Sequence, residues 1–193
     1  MGIQYRFKIT FINLYLQPKF AGIGKGMAIR MSKDILFKTE NDVFSYRIGG
    51  ILIRDNKILL QKPKNDDGYS IPGGHVNFGE ASSEALIREF KEEINADIKI
   101  ERLVFVGENF FPWGKRPCHQ ISLYYVISLC SEEQIPLSGT FQATDDLGNE
   151  RIDLDFTWIA LNELSAKKVY PTNLKEDLIS LPEQVKHFIY VQE

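Results

Sequence analysis

Three glutamates, Glu89, Glu92 and Glu93, stand at i, i+3 and i+4 within Ala81 to Ile94, a stretch without Gly or Pro that reads as one helix. At about 100° per residue they share one edge, flanked by Arg88. Leu86, Ile87, Phe90 and Ile94 form an apolar arc beside it. Like charges at these spacings disfavour a helix by roughly 0.2–0.5 kcal/mol per pair, and partial burial raises the cost. A divalent cation converts the repulsion into coordination, and hard oxygen ligands suit Mg2+ or Mn2+. The ordinary reading of an acidic helix edge is a solvated face.

The flanking residues weigh against that reading. Gly73-Gly74, after Ile71-Pro72, exposes a backbone carbonyl that a metal can approach with no side chain in the way. Glu80 stands at the helix entry, where the macrodipole favours a carboxylate and where it can hydrogen-bond back into the loop. Arg88 can pair with Glu84 or Glu92, or hold Glu80.

The pattern Gly74-x5-Glu80-x7-Arg88-Glu89-Phe90-x-Glu92-Glu93-x-Asn95-Ala96 resembles the Nudix box, G-x5-E-x7-R-E-U-x-E-E-x-G-U, with U an apolar residue. Every charged position matches. The one departure is Asn95 in place of Gly, where a left-handed residue commonly ends a helix and Asn is the next most tolerant type. The resemblance implies hydrolysis of a nucleoside diphosphate linked to another moiety, with Mg2+ or Mn2+ as cofactor. It implies metal binding by Glu89, Glu92 and Glu93 with the Gly73 carbonyl, and Glu89 or Glu93 as the base. Glu80 and Arg88 would hold the loop and orient the ligands. A further carboxylate from outside the box is expected among Asp145, Asp146 and Glu150. Phe110, Phe111 and Trp113, with Tyr124 and Tyr125, offer stacking surfaces for a base. His75 and His119 are expected in surface or core roles rather than on phosphate. Pro112, sixteen residues beyond Ala96, has a spacing similar to that in relatives acting on ADP-ribose.

These residues need elements to position them. Ser45 to Ile53 and Lys57 to Gln61 read as strands of a hairpin turning at Arg54-Asp55-Asn56. Tyr69 to Pro72 reads as a short strand delivering the glycine turn. Beyond the helix, Ile100 to Glu108 reads as a strand and Asn109 to Pro117 as an aromatic loop. His119 to Leu129 reads as a strand buried on both faces, and Ser131 to Asp153 as a long polar connection. Asp155 to Ile159 returns as a strand. Helices are expected from Leu161, over Asn173 to Ser180 with an Asn173-x-x-Glu176 capping box, and over Glu183 to Tyr190. The order points to an α/β fold with a mixed β-sheet and helices on both faces. It agrees with the α/β/α sandwich that the Nudix resemblance implies, whose strand order extends over Phe44 to Leu164.

The 193 residues suit one domain, 41–193, preceded by an extension over 1–40. In that extension Ile3, Tyr5, Phe7, Ile9 and Phe11 alternate with polar residues. Such a strand would cover a sheet edge or join a partner in a homodimer. Alternatively the residues before Met27 or Met31 are upstream sequence. At 44% hydrophobic and 25% charged the chain is ordinary globular material, and its net charge of -3 argues against non-specific nucleic-acid binding. Cys118 and Cys130 make no disulfide framework, so a reducing, cytoplasmic setting is expected. No stretch approaches the roughly 20 apolar residues of a membrane span. The partner that the resemblance implies is a small-molecule nucleoside diphosphate derivative. Two other functions stay open: removal of a 5′ cap or pyrophosphate from RNA, and a non-catalytic ligand sensor on the same fold.

Overall fold

The computed structural model describes residues 34–64, 66–137, 139–146 and 151–192. The expected strand over Ile3 to Phe11, the starts at Met27 and Met31, and Glu150 lie outside the described residues.

Hydrophobic alternation builds β1 (Leu36–Lys38), β2 (Val43–Arg54), β3 (Lys57–Pro63) and β4 (Tyr69–Ser70) before the helix α1 (Ser82–Ile94). Asp55 and Asn56 both take left-handed φ, 49° and 60°, which suits the tight β2–β3 turn. After α1 come β5 (Ile98–Trp113), β6 (Arg116–Leu129), β7 (Thr140–Asp146), β8 (Arg151–Ala160), β9 (Val169–Tyr170), α2 (Lys175–Ile179) and β10 (Lys186–Val191). The strands connect as β10-β5-β6-β2-β3-β4-β9, with β1 on β2 and β7-β8 on β3. Pairs β2–β6, β4–β9 and β5–β10 are parallel and the rest antiparallel.

Each face of this mixed sheet has its own apolar core. Leu86 and Phe90 of α1 pack with Ile48, Leu52, Leu59, Ile127 and Phe156. Leu161 and Leu164 of a 3-10 turn (Leu161–Ala166) and Leu178 of α2 pack with Ile51, Leu60, Phe105 and Phe188. Helices thus cover both faces, the α/β/α sandwich. Among the described residues no helix is long and apolar enough to cross a membrane.

The helix α1 starts where the Glu84 carboxylate accepts the Ala81 N–H at 3.1 Å. It ends at Asn95, whose φ of 51° is left-handed and whose N–H returns to the Lys91 carbonyl. Ile87, placed on the apolar arc by periodicity, is 43% exposed, because the buried stripe runs through Ala85, Leu86 and Phe90, with Ile94 partly buried beside it.

Several expectations change. Asn109 to Pro117 is not a loop: β5 runs on to Trp113 and turns at Gly114 into β6. Aromatic residues favour the pleated surface, and Pro112 pairs with Pro117 near the hairpin end, where fewer ladder bonds are needed. Strand β6 is not buried on both faces; Cys118, Ser122 and Tyr124 face inward while His119 is exposed. The supposed connection Ser131 to Asp153 contains β7, held by Phe141 stacking on Phe156 at 5.3 Å. The Asn173 capping box is absent, since the Asn173 amide donates to the Ile189 carbonyl at 3.0 Å. Glu183 to Tyr190 is not a helix: the segment forms β10, whose buried Phe188 and Tyr190 follow a period of two.

Candidate active site

The loop Ile71 to Asn77 is pinned along β2 like an added strand. The amides of Gly50, Ile48 and Val76 bond to the carbonyls of Pro72, Gly74 and Tyr46 at 2.8, 3.0 and 3.1 Å. The two glycines are needed for different reasons. At Gly73, with φ 149°, a Cβ would run into the Ile48 carbonyl oxygen; at Gly74 it would occupy the place of the Glu89 carboxylate. The acidic helix edge therefore lies directly on the glycine turn.

Arg88 ties this edge together. Its Nε and Nη2 grip Glu80 Oε1 and Oε2 at 2.8 and 3.0 Å, a two-pronged carboxylate contact. Nη2 also donates to the His75 carbonyl, and Nη1 to Glu89 and Glu92 at 2.8 and 3.0 Å. Burial pushes the Glu80 carboxyl up, but the Arg88 bonds and the Asn77 amide outweigh it and hold the group below its ordinary value. The Glu80 bond is the main reason that the Arg88 guanidinium is held more firmly protonated than usual. Glu89 is mostly covered, with 12% side-chain exposure, and Glu92 is at 61%.

The edge borders a cleft of about 1250 Å³, lined by Gly74, Glu89 and Glu92 on one side and Phe111 and Trp113 on another. The rings of Phe111 and Trp113 lie 6.4 Å apart, with Lys38 Nζ over Trp113 at 5.2 Å. Phe110 falls on the opposite face of β5 against the His119 ring at 4.4 Å and lines a separate cavity of about 450 Å³. Strand alternation separates neighbours that the sequence groups together. Tyr124 borders the cleft with its ring in the core, while the Tyr125 hydroxyl meets Ser82 Oγ at 2.6 Å. Glu93 is half-buried and outside the cleft lining. The side chains of Asp145 and Asp146 in β7 lie outside the described residues.

A metal suits this donor set in chemistry, because Glu89, Glu92, Glu93 and the Gly73 carbonyl are hard oxygens. Gly74 also leaves the Glu89 carboxylate a cradle that any side chain would fill. As arranged, no group of three acidic, His or Cys side chains among the described residues stands ready to coordinate one ion. Arg88 holds Glu89 and Glu92, and Arg47 Nη2 donates to the Gly73 carbonyl. Coordination would require turning these side chains, which the exposed Glu92 permits.

Sequence reasoning passed over Arg47, Lys38 and a polar strip on the sheet. His75 is buried, with Nε2 3.1 Å from Ser45 Oγ. Burial, then Arg47 and Lys38, push the ring down to about 3, so it is neutral at pH 7 and no cationic phosphate ligand. His119 is exposed. Ser45 and Arg47, polar at a spacing of two inside an apolar strand, were the available signal.

The sequence matches the NUDIX domain family over residues 45–177. It is 34% identical over 130 residues to an ADP-ribose pyrophosphatase of Methanocaldococcus jannaschii, covering 61% of this chain and 69% of that protein. A Bacillus subtilis protein whose name provisionally carries the same activity is 37% identical over 83 residues. That match spans 42% of this chain and only 40% of the relative. Among solved structures, a MutT NUDIX hydrolase from Burkholderia pseudomallei aligns at TM-score 0.50 with 23% identity, covering 72% of this chain and 98% of that one. A NUDIX hydrolase from Nitrosomonas europaea aligns at 0.51 with 17% identity, covering 80% and 82%. These two likenesses concern the fold.

Proposed function

The chain belongs to the NUDIX family, and from that premise we propose that it is a divalent-metal-dependent hydrolase of the pyrophosphate linkage in a nucleoside diphosphate derivative, ADP-ribose being the favoured substrate. The observation that carries this reading is the Glu89 carboxylate seated on Gly74, gripped by Arg88 and facing a cleft with an aromatic wall. The named activity of the M. jannaschii relative supports ADP-ribose, as does the spacing to Pro112.

Glu89, Glu92 and Glu93 with the Gly73 carbonyl would hold Mg2+ or Mn2+, which supplies positive charge against the phosphate oxygens. Hydrolysis adds a water oxygen to one phosphorus and breaks the bridging P–O bond, leaving two phosphate monoesters. The proton lost by water needs an acceptor; Glu89 is better supported than Glu93 because it borders the cleft. Arg88 acts through Glu89 and Glu92 as a positioning residue, and Glu80 holds Arg88 to the loop. Phe111 and Trp113 would stack on the base, whereas Phe110 on the other face is not suited to that role. Domain limits of 41–193 remain part of this reading, although β1 at Leu36–Lys38 already pairs with β2.

The test is product analysis after incubation with ADP-ribose, other nucleotide sugars, dinucleotides, nucleoside triphosphates and capped RNA, with Mg2+ or Mn2+. AMP and ribose 5-phosphate from ADP-ribose, lost in Glu89→Gln, are the expected result. Turnover of capped RNA alone, or of nothing in the panel, overturns the proposal.

A further inference from the structure

The strand register assembles a polar strip where the sheet meets the cleft. Tyr190, Asn109, Gln120 and Ser45 pair in one row across β10, β5, β6 and β2. Phe188, Gly107, Ser122 and Arg47 form the next row, beyond which the sheet is apolar core.

The hydrogen bonds along this strip run in a defined direction. Ser45 Oγ, met by His75 Nε2 at 3.1 Å, donates to Gln120 Oε1 at 3.3 Å. Gln120 Nε2 and Asn109 Nδ2 both donate to Ser122 Oγ, at 2.9 and 3.0 Å. Two donors use both lone pairs of that hydroxyl. In this arrangement the Asn109 nitrogen is used and the oxygen is left over. Asn109 is 2% exposed and borders the cleft, and its Oδ1 has no hydrogen-bond partner in the protein. A buried acceptor without a partner is costly, and a ligand donor relieves that cost.

The neighbours identify the kind of donor. Phe111, two residues on along the same face, sits about 7 Å away, within the span of one stacked nucleoside. We propose that Asn109 is a specificity-determining residue: its Oδ1 accepts an N–H from the exocyclic amino group of the substrate's base. Adenine and cytosine present that amino group. Hypoxanthine and uracil place a carbonyl oxygen there and would set two acceptors against each other. The assignment rests on the reading of the cleft as a nucleoside diphosphate site, and adds to it the residue that discriminates between bases.

The test is isothermal titration of the full chain with ADP, IDP, CDP and UDP at one Mg2+ concentration, which requires no turnover. ADP should bind at least about tenfold tighter than IDP, and CDP tighter than UDP by a similar factor. Asn109→Leu should bring both ratios within about twofold of unity. Ser122→Ala, which releases the amide to rotate, should lower them even if Asn109→Leu fails to fold. Ratios near unity or inverted in the unaltered protein, ratios unchanged by these substitutions, or no binding of any diphosphate would overturn the inference. Base discrimination without hydrolysis of the substrate panel would sink the proposed reaction and leave the Asn109 assignment standing. Hydrolysis without base discrimination would do the reverse.

Discussion

The acidic helix edge and the polar strip both border one cleft, yet they are built in opposite ways. On the edge, Glu80, Arg88, Glu89 and Glu92 lie within thirteen positions of one another, and every contact Arg88 makes with the three glutamates spans eight residues or fewer. The strip takes Ser45, Asn109, Gln120 and Ser122 from three strands, with partners up to 75 residues apart. The first is a local device, built from one helix and the loop that leads into it. The second exists only when three strands take one register, because a slip of a single residue would turn each of its side chains to the other face. Chemistry can sit in the local device, while discrimination among substrates rests on the assembled one.

The sharpest break in this comparison is Glu89→Gln, which keeps the shape of the edge and removes its charge. Turnover should fall by about a thousandfold with little change in melting temperature, in keeping with the loss of a base or metal ligand. An equal loss of stability would make Glu89 a structural residue.

Next come the adjacent glycines, which should respond differently. Gly73→Ala meets the Ile48 carbonyl at a positive φ and should cost about 2 kcal/mol or more of stability. Gly74→Ala meets first the end of the Glu89 side chain rather than backbone. It should spare the melting temperature and lower kcat by roughly ten- to a hundredfold. Thermal melts beside steady-state kinetics separate the two, and the same response from both would remove the cradle from the account.

On the far wall of the cleft, Trp113→Ala or Phe111→Ala should raise KM about tenfold with a smaller change in kcat, because stacking on a base contributes to binding rather than to the reaction. Phe110→Ala should leave KM unchanged. A KM effect at Phe110 but not at Phe111 would place the base on the other face of β5.

The smallest effect concerns His75, beside the strip. Its folded value of about 3 lies below the ordinary 6.5, so between those values the unfolded chain takes up a proton that the folded chain refuses. Stability should therefore rise with pH from about 3 to 6.5 and level off above. His75→Asn should flatten that rise in denaturant titrations across the window. A slope unchanged in the variant would assign the acid sensitivity to other groups.

Much of the edge was legible because residues three and four apart on a helix must be neighbours, whatever the rest of the chain does. That logic reached Arg88, Glu89 and Glu92, while Glu80 and the left-handed Asn95 were legible from their places at the two ends of the helix and in the box motif. It misjudged Ile87, since periodicity gives an arc and not how much of it a sheet will cover. It also grouped Phe110 with Phe111 and Trp113, having read a loop where a strand alternates. The β10 segment looked helical because its apolar residues fit either period, and only the exposed edge of β5 gave them a strand to join.

By itself, then, the sequence determined the family, the amphipathic helix and the charged side chains at one helix edge from short-range spacing, and the mixed sheet from the order of its elements. Only the tertiary structure decided which aromatics line the cleft and that Arg47 reaches the Gly73 carbonyl. It alone left Asn109 with an unused oxygen. Those outcomes depend on strand register and on burial, which are set by pairing between segments far apart in the chain.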